Sequence, residues 1–168
     1  MAEEVQLWKR IIQRDPAAFE VLFKEYHSRL SRFARIYVPT MGAADDVVQE
    51  SFLELWKRPH GFDPSRGSLK QYLFGIARKR AAQLRRREHS RQIEQHRALT
   101  IKSNEDAISL KDALVKLDIN DYSLIWLREV EGYSYSELSH ILDRPIGTVK
   151  SQLFTARENL RRLWLHRR

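Results

Sequence analysis

The chain has 168 residues, 42% hydrophobic and 31% charged, enough apolar side chains for a core and more charge than the average of about 25%. No stretch approaches the roughly 20 apolar residues of a membrane span, and the start, MAEEVQLWKR, has neither the charged nor the apolar region of a signal peptide. The lack of cysteine excludes a disulfide framework, a thiol nucleophile and cysteine zinc sites, so the expectation is a cytoplasmic protein without membrane insertion.

In chain order, every periodic segment reads as helix. A short first helix holds Trp8, Ile11 and Ile12. Asp15 and Pro16 form a cap and first-turn pair for a second, whose stripe Phe19, Leu22, Phe23, Tyr26, Leu30, Phe33 and Tyr37 runs up to Pro39. In GAADDVVQESFLELWKRP, Val48, Phe52, Leu55 and Trp56 line one side and the acids sit early, where they suit the helix dipole. HGFDPSRG is a turn-rich loop. Ser68 caps the next helix, with Leu69, Leu73, Ile76 and Ala77 inward and cations crowding its second half.

Residues 92–108 are polar with weak periodicity and read as a flexible linker. They divide a first domain, 1–91, from a second, 109–168. The second domain opens with Leu110, Leu114 and Leu117 on a short helix, followed by DINDYSLIWLREVEG, which stops at Gly132. Ser134 and Glu137 form a capping box for a helix burying Leu138, Ile141 and Leu142. After the break at DRP, Val149, Leu153, Ala156, Leu160 and Leu163 define the last helix. No strand pattern arises. The fold class expected is all-α, two small helical bundles.

The net charge of +8 is unevenly placed. Asp45, Asp46, Glu50 and Glu54 stand without a cation between 41 and 54, whereas residues 78–91 hold seven cations against Glu88 alone. Bases again outnumber acids, seven to two, from residue 143 onward. Cations that meet phosphate release condensed counterions, so a polyanion suits these two basic segments; a solvated helix face is the other reading. A short helix, a tight break and a longer helix with a polar outer face are also the parts of a helix-turn-helix. Thr148, Lys150, Ser151, Gln152 and Thr155 occupy the free face near the start of its second helix, and all are side chains that read base edges or phosphates. The alternative here is an amphipathic helix that only completes a bundle.

The segment DRPIGTVKSQLFTAR resembles the region-four signature of bacterial group-four, or extracytoplasmic-function, sigma factors of the sigma-70 family, and EGYSYSELSHILD resembles the segment before it. In the first half, ADDVVQESFLELWKR and FDPSRGSLKQYLFGIARKRAAQLRRR resemble region two. The resemblance implies a subunit that directs RNA polymerase to promoters by reading −35 and −10 elements and assisting strand opening. By it, Asp45, Asp46, Gln49, Glu50 and Trp56 dock on the β′ clamp helices of core polymerase, and the second domain meets the β flap. Phe62, Arg66, Tyr72, Arg78, Lys79, Arg80, Gln83, Arg86 and Arg87 line the −10 surface. Arg144, Thr148, Lys150, Ser151, Gln152, Thr155 and Arg157 face the −35 element. The partners so implied are core polymerase, promoter DNA and an anti-sigma factor. Lys79, Gln83, Gln152 and Thr155 depart from the family's usual residues, and KLDINDYSLIWL from its usual proline-containing segment, so neither promoter sequence carries over.

No enzyme motif competes. Asp45 and Asp46 are adjacent and diverge by about 100° on a helix, a poor acid–base pair. His27, His60, His89, His96, His140 and His166 show no metal-ligand spacing, and no glycine-rich phosphate loop or hydrolase signature appears. The expectation is therefore no catalytic residue, no metal and no cofactor. A free-standing helix-turn-helix regulator remains the alternative; it needs neither the acidic helix at 45–56 nor the loop after it.

Overall fold

The computed structural model describes residues 2–95 and 110–165, and among them only helices and turns occur. The chain separates into two compact units, one of Met1–Arg86 with His140–Asp143 and the other of Arg87–Ser139 with Arg144–Arg168.

In the first unit, α1 (Ala2–Ile12) packs on α2 (Pro16–Ala34), and α2 packs on α3 (Met41–Lys57). Asp15 caps α2 as expected, accepting from the Ala17 and Ala18 amides at 2.9 and 3.5 Å, and Thr40 caps α3 by accepting from the Ala43 amide. The α2 stripe ends sooner than its periodicity suggests. The helix closes at Ala34 and Tyr37 sits in the following turn, although it still packs against Phe33. Leu22, Leu30, Phe33, Val48, Phe52 and Leu55 form the core with one buried side of α4 (Leu69–Gln95). That side carries Leu69, Leu73, Ile76 and Ala77 as expected, and adds Phe74, whose ring meets Phe33 at 5.4 Å. A 3₁₀ turn at Pro59–Gly61 starts the loop between α3 and α4. α4 continues to Gln95, beyond the 91 expected to end the first domain; the rest of the expected linker, 96–108, lies outside the described residues.

In the second unit, α5 (Leu110–Lys116) and α6 (Ile119–Ile125) both pack on α8 (Ile146–Leu165). Ala113 and Leu117 carry the inward side of α5, while Leu110 is exposed. Asp118 caps α6 through the Asn120 amide. A π-helical turn, Trp126–Val130, prolongs α6, and Gly132, at φ +76, ends it, with the Tyr133 amide returning to the Leu127 carbonyl. α7 (Tyr135–Leu142) opens on a closed capping box: the Glu137 amide donates to Ser134 Oγ at 3.2 Å and the Ser134 amide to Glu137 Oε2 at 2.8 Å.

Candidate promoter-reading surfaces

Three residues, 143–145, separate α7 from α8. Asp143 takes a left-handed φ of +53, which a short polar side chain tolerates, and the Arg144 amide donates back to the Ser139 carbonyl. Pro145 then leads into α8, and its carbonyl accepts the first helical bond, from Val149. Val149, Leu153 and Ala156 are fully buried, which forces the opposite side of α8 outward. On that side Thr148, Lys150, Ser151 and Thr155 are exposed and Gln152 is half-buried, and Arg144 in the preceding turn is exposed as well.

These side chains are held rather than loose. Arg144 donates to Gln152 Oε1 at 2.8 Å, and Ser151 Oγ donates to the Thr148 carbonyl at 3.0 Å. Lys150 lies 5.6 Å from the Tyr135 ring, which Arg128 covers at 5.0 Å. Arg157 pairs with Glu129 at 2.5 Å, and this bond to the carboxylate raises the guanidinium pKa further. Phe154, which sequence reasoning passed over, is 68% exposed on the same helix. Its signal was present: it falls outside the Val149–Leu153–Ala156 stripe.

The α3 surface is acidic. Asp46, Gln49 and Glu50 are exposed, whereas Asp45 is half-buried and accepts from Ser31 Oγ at 3.3 Å. Trp56 is engaged on two sides. Phe19 meets its ring edge-on at 4.8 Å, the Arg14 guanidinium lies 5.3 Å from it, and Arg14 Nη1 donates to the Trp56 carbonyl.

From α3 the structure passes to the loop and α4. Arg80 donates through Nε and Nη2 to Glu54 Oε2, at 2.9 and 2.6 Å, with Glu50 3.9 Å away, so this cation is committed to α3. Arg66, Lys79, Gln83, Arg86 and Arg87 are exposed; Arg78 and Tyr72 are half-buried. Phe62 differs from expectation. It is only 8% exposed, because Trp8 meets its ring edge-on at 5.0 Å and Tyr72 lies 5.6 Å away. It supports the loop from inside and offers no open face for a base. At the loop tip Asp63 accepts from the Ser65 amide and hydroxyl at 2.9 and 2.7 Å, bonds that pull its carboxyl below the usual range. Among the described residues no group of three or more His, Asp or Glu side chains could hold a metal ion, and no helix is long and apolar enough to cross a membrane.

Sigma-70 region 2 matches residues 22–91 and sigma-70 region 4 matches residues 107–160. The ECF RNA polymerase sigma-E factor of Salmonella typhimurium is 33% identical over 90% of this chain and 89% of its own length. Those of Escherichia coli K12 and Haemophilus influenzae are 32% and 30% identical, over 90% and 94% of this chain and 89% and 95% of their own lengths. The chain belongs to the ECF sigma factors of the sigma-70 family. It is thus a sigma factor of RNA polymerase, an initiation factor whose family lends promoter choice to an enzyme made of other subunits. Among solved structures, RpoE of Bartonella quintana in complex with the anti-sigma factor NepR is 26% identical with a TM-score of 0.68, covering 89% of this chain and 98% of that one. CnrH, solved with the cytosolic domain of CnrY, shares the fold at a TM-score of 0.76 and 24% identity, covering 98% of this chain and 99% of that one.

Proposed function

We propose that this sigma factor places α8 in the major groove of the −35 element and holds the opened −10 strand along the loop 58–68 and the exposed side of α4. The observation that carries the −35 assignment is the sidedness of α8: Val149, Leu153 and Ala156 are fully buried while Thr148, Lys150, Ser151 and Thr155 face solvent behind a three-residue turn. Lys150 reaches guanine or phosphate, Gln152 with Arg144 reads a neighbouring edge, and the open Phe154 ring suits a thymine methyl. Arg66 in the loop and Lys79, Arg86 and Arg87 on α4 track phosphates, Gln83 offers an amide to a base edge, and Tyr72 presents the aromatic edge nearest them. Arg78 and Arg80 shape this surface from the side.

Asp46, Gln49 and Glu50 form the docking face for cationic side chains of core polymerase, the clamp helices by family analogy, and the second unit meets the flap. Trp56 serves that face indirectly, bracing the end of α3. The domains implied are 1–91 and 109–168, joined by 92–108. An anti-sigma factor that covers these surfaces is a fitting regulator, since the Bartonella relative is seen bound to one.

The test is transcription in vitro with purified bacterial core polymerase and genomic fragments, with and without the protein. New discrete start sites preceded by a shared pair of elements are expected. Tight duplex binding without polymerase, and no new starts with it, would instead mark a free-standing regulator.

A further inference from the structure

The stretch matching sigma-70 region 2 begins at residue 22, so α1 lies outside it. Two α1 side chains nevertheless close on the loop assigned to the −10 strand. Trp8 is buried against Phe62, and Glu4 reaches the start of α4, 65 residues away in sequence. The first amides of any helix lack intrahelical acceptors. In α4, Ser68 and Gln71 satisfy each other: the Gln71 amide donates to Ser68 Oγ at 3.2 Å and the Ser68 amide to Gln71 Oε1 at 2.9 Å. The Leu69 and Lys70 amides remain, and both donate to Glu4 Oε1, at 2.6 and 3.4 Å. A carboxylate is the best acceptor for this position, because it is charged and faces the positive end of the helix dipole.

Little clearance remains around this joint. A Cβ on Gly67 would collide with the Gln71 amide oxygen, and one on Gly61 would come within 2.5 Å of the Tyr72 hydroxyl. The loop is thus pinned at both ends, by Gly61 and Phe62 under Tyr72 and by Gly67 under the capping pair. Its middle, 63–66, stays exposed.

We propose that Glu4 is a positioning residue for −10 recognition: by holding the first turn of α4 it fixes the loop in the geometry that receives the unstacked strand. Glu4 touches no DNA in this assignment. Without it the Leu69 and Lys70 amides turn to water, the first turn of α4 loosens, and the loop samples several shapes of which one fits the base. A functional constellation depends on such support from residues behind it. The fold itself does not hang on Glu4, since Trp8 and Ile11 keep α1 buried.

This inference rests on reading the loop and α4 as the −10 surface, and the experiment separates the two. The full-length protein is assembled with core polymerase on a promoter found by the transcription test above, supplied with its −10 region premelted. The readout is the ratio of transcription from the native −10 sequence to that from a −10-substituted copy. Glu4→Ala is expected to lower this ratio at least threefold, while Glu4→Gln, which keeps an oxygen acceptor, restores most of it; core affinity and melting temperature stay near those of the parent. A purely structural contact would lower both templates alike and leave the ratio unchanged. An unchanged ratio in Glu4→Ala, with Gln83→Ala at the base-edge position still lowering it, overturns the positioning role alone. An unchanged ratio in both overturns the −10 surface and the inference together.

Discussion

Arg157 illustrates how a side chain can be both paired and available. Its partner Glu129 is half exposed, as is Arg157 itself, and ion pairs in such settings contribute about 0.2–1 kcal/mol. A DNA phosphate can therefore take the guanidinium from Glu129 at small cost. Replacing Glu129 by Gln removes the competing carboxylate, so duplex binding should tighten modestly, and most at low salt. Arg157→Ala should do the reverse, reducing the slope of log K against log salt by about 0.9, the value for one phosphate contact. The check is a salt titration of holoenzyme on −35 promoter duplex. Equal slopes for Arg157→Ala and the parent would place Arg157 off the backbone. Arg80 makes the contrasting case. It is bidentate to Glu54 and close to Glu50, so the same competition would have to break two helix-to-helix contacts.

At the scale of elements, helix starts carry much of the local specification. The α7 box is complete, so Ser134→Ala should cost about 1 kcal/mol of stability, with Ser134→Thr nearly neutral. Thermal denaturation of the three proteins measures this, and a loss within a few tenths would mean that packing of Leu138 alone sets the helix start. Such starts were legible in the sequence because capping pairs are local: Asp15, Ser68 and Ser134 all do what their spacing implies. So were the sided faces of α3, α4 and α8, which follow from a 3.6-residue period. What was not legible depends on distant partners. Nothing near Phe62 in sequence says that Trp8, 54 positions earlier, will cover it. Nothing near Leu69 says that Glu4 will bond its amide. The π-helical turn at Trp126–Val130 was equally hidden, since its sequence reads as continued helix. Arg14 is a further example: a non-glycine residue at φ +63, closing α1 while its guanidinium caps the end of α3.

At the scale of the whole molecule, charge is segregated along the chain, with acids on α3 and cations on α4 and after residue 143. On the proposed function, two weak readers carried on one chain would gain from effective concentration once both are fixed to a polymerase, so neither would need strong affinity alone. The same segregation makes the fold sensitive to acid. Asp15 is held below the usual carboxylate range chiefly by the hydrogen bond from Arg10, Glu20 by that from Lys24, and Asp63 by those from Ser65. Each is a carboxyl whose folded pKa lies below its unfolded one. Each therefore contributes stability that is fully present above the unfolded values, near 4, and is lost as pH falls through the folded ones. Over the same range neutralising the 22 acids leaves 30 Lys and Arg with six protonated His, so self-repulsion grows as the compensating pairs vanish. The melting temperature should hold steady from neutral pH to about 5, then drop steeply toward pH 3. Because repulsion between exposed cations is screened while the capping bonds at Asp15 and Asp63 are short-range, added salt should recover part of the loss and not all of it. Full recovery in salt would assign acid lability to net charge alone. No recovery would assign it to the caps and the Asp63 turn, and Asp15→Asn, which keeps an acceptor that does not titrate, should then flatten the low-pH limb of the curve.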